Sequence, residues 1–142
     1  MRAYLSRRYR LSASHRLHTD TFSDKRNREV YGKCNNPHGH GHNYVIEVTV
    51  GGPVDPETGM VCNLPDLDQC VQQQIVDRFD HTNLNLDPLF QNRVPTTENL
   101  CIDVYQILAK AFDKAQLVRV RVEETNNNSF EYPLQTPLAA GS

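Results

Sequence analysis

Between Leu5 and His15 the odd positions Leu5, Tyr9, Leu11 and Ala13 are largely apolar, while Ser6, Arg8, Arg10, Ser12 and Ser14 fall on the other parity. A repeat of two predicts a strand with one buried face. The same repeat returns from His40 to Val50 on even positions, with Tyr44, Ile46, Val48 and Val50 set against Asn43, Val45, Glu47 and Thr49. The turn-rich run Gly51 to Gly59 ends this second strand, and a short extended piece is expected over Met60 to Cys62.

The period then changes. Leu64, Leu67, Val71, Ile75 and Phe79 recur at helical intervals behind Asn63 as a cap and Pro65 in the first turn, which predicts a helix over about 64–78. Pro95 and the hydroxyls of Thr96 and Thr97 open a second helix over about 97–112, whose buried stripe is Leu100, Val104, Ile107, Leu108, Ala111 and Phe112. From Leu117 the alternation of Val118, Val120 and Val122 with Arg119, Arg121 and Glu123 gives a third strand, and Phe130 to Tyr132 a fourth after the turn at Asn126-Asn127-Asn128. The order β-β-α-α-β-β predicts an α+β fold, a four-stranded antiparallel sheet with two helices on one face. So short a sheet has open edges, which pairing with another subunit would cover, so an oligomer is expected.

The length of 142 residues, with 38% hydrophobic and 23% charged, fits one globular domain, taken here as residues 1–140. Gly141-Ser142 reads as an expression scar and is set apart. No apolar run approaches a membrane span and the first ten residues have no apolar signal core, so a cytoplasmic location without membrane association is expected. Cys34, Cys62, Cys70 and Cys101 contain no C-x-x-C pair and read as free thiols.

Charge alters this picture. Residues 1–33 carry nine Lys or Arg against three acids, whereas the remainder carries six against fourteen. One reading is a solvated basic face; the other is a site for a phosphorylated small molecule, since Arg and Lys bind phosphate through charge-assisted hydrogen bonds. A pI near 6.3 and the lack of any binding motif argue against nucleic acid.

The histidines supply the chemistry. His40 and His42 share parity with Tyr44 and Ile46, so both imidazoles project from one face of the second strand, and His15 shares parity with Leu11 and Ala13 at the end of the first. Three neutral imidazoles with an open fourth position make a catalytic zinc site. The alternatives are a fortuitous H-x-H pair, or His18 or His38 as a competing ligand. Glu124 continues the parity of Val120 and Val122, so it serves either a salt bridge or the N–H donors of a flat heterocycle. Asp80-His81 follows the first helix, where a carboxylate beside an imidazole can shuttle protons. Cys34 lies in a loop next to Lys33 and six positions before His40, and a cation nearby favours a thiolate. The other three thiols read as structural.

The strings SASHRL at 12–17, GKCNNPHGHGHNY at 32–44, DPETGMV at 55–61, FDHTNL at 79–84, PTTEN at 95–99 and EET at 123–125 resemble the 6-pyruvoyltetrahydropterin synthases and their 6-carboxytetrahydropterin synthase relatives. The resemblance implies the tunnelling fold, in which subunits join their sheets into a barrel as a hexamer, a dimer of trimers, with active sites at the interfaces. It implies a lyase acting on 7,8-dihydroneopterin triphosphate, with Zn²⁺ on His15, His40 and His42 and room for Mg²⁺ on the triphosphate. Cys34 would abstract a proton, Asp80 and His81 would assist, Glu124 would anchor the pterin, and Thr96, Thr97 and Glu98 would line the ring pocket. Asn126 departs from the acid common in the family, and His38 creates a second overlapping H-G-H. Five residues separate Cys34 from His40, the pyruvoyl-type spacing, and three separate it from His38, the carboxy-type spacing. The product expected is 6-pyruvoyltetrahydropterin, on the route to tetrahydrobiopterin. The alternatives are the 6-carboxy product with loss of acetaldehyde, on the route to queuosine, a non-catalytic zinc- or pterin-binding module, and a zinc hydrolase.

Overall fold

In the computed structural model, which describes residues 1–134, the two alternating segments are long antiparallel strands, β1 (Arg2–His15) and β2 (His40–Pro53). They pair over their whole length, from Arg2 opposite Pro53 to His15 opposite His40. That register sets the odd residues of β1 and the even residues of β2 on one face. Leu11, Ala13, Tyr44, Ile46, Val48 and Val50 are buried there. β4 (Gln116–Thr125) pairs with β2 and adds Val120 and Val122 to the same face, and β5 (Asn128–Tyr132) closes that side.

The expected four-stranded antiparallel sheet is corrected in one respect: among the described residues a fifth strand, β3 (Thr82–Asn83), makes the sheet mixed, in the order β3-β1-β2-β4-β5. The extra strand lies parallel to β1 at its outer edge, with Ala13 opposite Thr82. Two residues are too few for any repeat to show. Met60 to Cys62 forms no strand; the chain instead turns back through Asp55, whose backbone N–H donates to the Met60 carbonyl and whose side chain accepts from the Glu57 N–H.

The first predicted helix exists, though not as one regular piece. α2 (Leu64–Val71) passes through a wide π-helical turn (Gln72–Val76) into α3 (Asp77–Phe79). Leu67, Val71, Ile75 and Phe79 all stay fully buried on the sheet. α4 (Thr97–Ala111) is capped by Thr96, whose hydroxyl accepts from the Asn99 N–H, and buries Leu100, Cys101, Val104 and Leu108 on the same face. All these residues form one hydrophobic cluster.

A further helix, α1 (Asp24–Tyr31), occupies the basic segment. Ser23 caps it, and its one buried residue is Asn27, whose amide donates to the carbonyls of Thr19, Phe22 and Ser23. A helix held by a buried amide instead of an apolar stripe leaves no helical periodicity to read. The opposite face of the sheet is charged, with Arg8 bonded to Glu47 and Arg121 to Glu123. Among the described residues no helix is long and apolar enough to cross a membrane. Gly141-Ser142 lies outside the described residues.

Candidate active site

The β1–β2 register ends with His15 directly opposite His40, and His42 stands two residues along the same face. One ring nitrogen from each of His15, His40 and His42 lies within 4.8 Å of the others, and the Nε2 atoms of His15 and His40 are 3.0 Å apart. His15 is buried, and its Nδ1 lies 2.8 Å from the Pro95 carbonyl, so Nδ1–H donates and Nε2 is left with its lone pair toward the cluster. His42 Nε2 is buried with no hydrogen-bond partner. Burial first of all pushes both imidazoles below their ordinary range, holding them neutral, the form that ligates. An orphaned ring nitrogen, an oriented partner and the neutral rings of His15 and His42, with His40 as a third nitrogen donor, fit a divalent metal ion and leave a position open.

His38 is exposed and takes no part. His18 turns away, with Nδ1 3.0 Å from the Asn35 amide and Nε2 3.3 Å from Asp20. The cluster is therefore His15, His40 and His42. Gly39 explains how His40 comes so close: it has φ +71°, and a Cβ there would stand 3.0 Å from the His15 carbonyl oxygen. Gly39→Ala is expected to lose about 1–3 kcal/mol in denaturant unfolding, through left-handed strain and the forced separation of the two strands, and to weaken any metal binding by the three imidazoles in a competition titration.

Glu124 reaches the same end of the sheet and accepts the hydroxyl proton of Thr97, a buried residue of the first turn of α4. Glu98 is exposed and Thr96 caps the helix, so of the predicted ring-pocket trio Thr97 is the one that hydrogen-bonds to Glu124 among the described residues. Cys34 sits half-buried in a single 3₁₀ turn, Gly32–Asn35. Burial, and then the Glu124 carboxylate, push its thiol up. The protein groups thus keep it protonated, and a cation on the three imidazoles would act in the opposite sense.

Asp80 and His81 are set apart. The Asp80 carboxylate accepts the Ser12 N–H at 2.8 Å, the His81 N–H donates to the Ser12 carbonyl at 2.6 Å, and both flank β3 at the sheet's outer edge. The His81 ring is largely exposed, 3.5 Å from Asp80 Oδ2. Among the described residues neither makes a hydrogen bond or ion pair to His15, His40 or His42. Sequence reasoning passed over Pro95 as the partner of His15, because a backbone carbonyl carries no residue signature. It also passed over Asn35 and Asn85. The Asn85 side chain accepts the Arg16 N–H at 2.7 Å and donates to the Arg16 carbonyl at 2.9 Å, extending the edge past β3.

Residues 4–135 match the family described as 6-pyruvoyl tetrahydropterin synthase. The 6-pyruvoyl tetrahydrobiopterin synthase of Poecilia reticulata is 49% identical over 130 residues, which span 91% of this chain and 88% of that protein. The human 6-pyruvoyl tetrahydrobiopterin synthase is 47% identical over 131 residues, 92% of this chain and 90% of that one. The solved structure of the Caenorhabditis elegans 6-pyruvoyl tetrahydropterin synthase aligns with a TM-score of 0.90 at 39% identity, covering 95% of this chain and 97% of that chain.

Proposed function

The chain belongs to the 6-pyruvoyl tetrahydropterin synthase family, and on that premise we propose that it is a zinc-dependent lyase converting 7,8-dihydroneopterin triphosphate to 6-pyruvoyltetrahydropterin with release of triphosphate. The observation that carries the reading is the meeting of three imidazole nitrogens within 4.8 Å of one another at the strand end where Glu124 and Thr97 also converge.

His15, His40 and His42 are the residues that would hold the metal. When bound, zinc supplies Lewis acidity to the side-chain hydroxyls of the substrate and so acidifies the neighbouring C–H. Cys34 takes that proton as the thiolate, the form that a cation on the three imidazoles would favour over the thiol. Its thiol is half-buried and near enough to Glu124 to be pushed up by the carboxylate, which supports a proton acceptor and a ring anchor that serve one substrate. Glu124, fixed by the Thr97 hydroxyl, accepts the paired N–H groups of the pterin and orients its side chain toward the imidazoles. Loss of the proton lets the C–O bond to the triphosphate break with its electron pair, and the side chain then rearranges.

Asp80 and His81 assist proton movement in this reading, and their place on an exposed edge suits service to the site of a neighbouring subunit joined there. A hexamer, a dimer of trimers by family resemblance, would cover an edge strand only two residues long. Thr96 and Glu98 would complete the ring pocket, and Mg²⁺ would accompany the triphosphate.

The test is direct. Purified protein incubated with dihydroneopterin triphosphate and zinc is expected to give triphosphate and a product with the mass of 6-pyruvoyltetrahydropterin. Acetaldehyde with the 6-carboxy compound would replace this product assignment, and unchanged substrate would overturn the lyase reading.

A further inference from the structure

Asn35, the residue after Cys34, is only 6% exposed, an unusual place for an amide in a surface loop. Its bonds all lead back to the chain just past His15. Its Nδ2 donates to the Leu17 carbonyl at 2.8 Å and lies 3.0 Å from His18 Nδ1, and its own carbonyl accepts Arg16 Nε at 3.1 Å. The Leu17 N–H donates to the Cys34 carbonyl at 2.8 Å. Both backbone groups of Leu17 are therefore taken by residues 34 and 35, much as a strand partner would take them. Leu17 is two residues from His15, about 7 Å of extended chain. The excursion that holds α1 leaves β1 at His15 and returns to this one point before β2 begins.

We propose that Asn35 is a positioning residue: with Arg16 and Leu17 it clamps the Cys34 turn to the end of β1, and so fixes the thiol against the His15, His40 and His42 cluster. The clamp lies outside the ladder that holds the imidazoles, so it sets the thiol without setting the metal site. A loop thiol on a free tether would sample many positions, and a displacement of about 1 Å from the reacting carbon can lower a rate about 100-fold.

The inference rests on Cys34 as the group that moves the proton, and the experiment separates that premise from the clamp. Asn35→Ala is compared with the unaltered protein in turnover, KM, Co²⁺ binding followed by its visible spectrum, and the rate at which iodoacetamide alkylates Cys34, read by peptide mass. The expected result is a kcat about 10- to 100-fold lower, KM and Co²⁺ affinity within about threefold, and Cys34 alkylated several times faster. Alkylation at the unaltered rate would overturn the clamp whatever the activity does. Faster alkylation with a kcat within twofold of the parent would overturn the premise that Cys34 moves the proton while leaving the clamp, and a loss of Co²⁺ binding in step with kcat would overturn the clamp's independence of the metal site. Should Asn35→Ala fail to fold, Arg16→Met removes only the bond to the Asn35 carbonyl. That variant should show the same split at smaller size, and a rise in KM alone would count against the clamp.

Discussion

Cys34→Ala is expected to lower turnover of dihydroneopterin triphosphate by about 10²- to 10⁴-fold, the range for losing a positioned proton-transfer group, while zinc content stays at the parent level. The reasoning is geometric. Among the described residues the atoms that could ligate a metal come from His15, His40 and His42, so removing a thiol from the neighbouring turn leaves all three imidazoles and the Pro95 bond in place. Half burial and Glu124 by themselves keep the thiol protonated, so the role requires the thiolate that a cation on the three imidazoles would favour; once formed, that thiolate is a strong proton acceptor. Product formation by mass and metal content by elemental analysis check the two halves. Turnover within a fewfold of the parent would remove Cys34 from the chemistry and favour a metal-activated water, the hydrolase reading.

The second large effect concerns His42. Its Nε2 is buried without a partner, whereas the His15 ring is anchored to Pro95. His42→Ala therefore breaks no hydrogen bond of the metal-free protein and should leave its thermal unfolding nearly unchanged. Its cost falls on binding. Zinc affinity is expected to drop by more than the 10- to 100-fold typical of losing an outer-shell partner, and turnover should fall to background. A chelator makes the difference visible. The parent at a free zinc concentration 100 times Kd gains about 2.7 kcal/mol, all lost on chelation, so its melting temperature should fall. The melting temperature of the variant should not move. A variant that binds zinc as tightly as the parent would show that the three nitrogens serve some other purpose.

The parity of residues along β1 and β2 was enough to put His15, His40 and His42 on one face, because a buried strand face has a strict period and a slip of one residue would reverse it. Glu124 was reached in the same way, by extending Val120 and Val122. Where structure depends on single side chains instead of a repeat, the sequence is silent. α1 is held by Asn27 and carries no apolar stripe, β3 is two residues long, and the anchors of the site, the Pro95 carbonyl and the amides of Asn35 and Asn85, act through hydrogen bonds between segments distant in the chain. The adjacency of Asp80 and His81 was plain, but their position at the edge, away from the imidazoles, depends on the parallel pairing of β3 with β1.

The wide turn between α2 and α3 has a consequence for chain length. Leu67, Val71, Ile75 and Phe79 are spaced by four throughout, and in a regular helix each such step overshoots the face by about 40°. The stretch Gln72–Val76 takes up that excess, since a π turn holds more residues than an α turn. Taking out one of the three consecutive glutamines would leave intervals of four, three and four, the ordinary rhythm of a helix lying on a sheet. This is the place where the polypeptide holds a residue in reserve: a chain one residue shorter here would keep both the hydrophobic contacts above it and the Asp80 contact with β1 below.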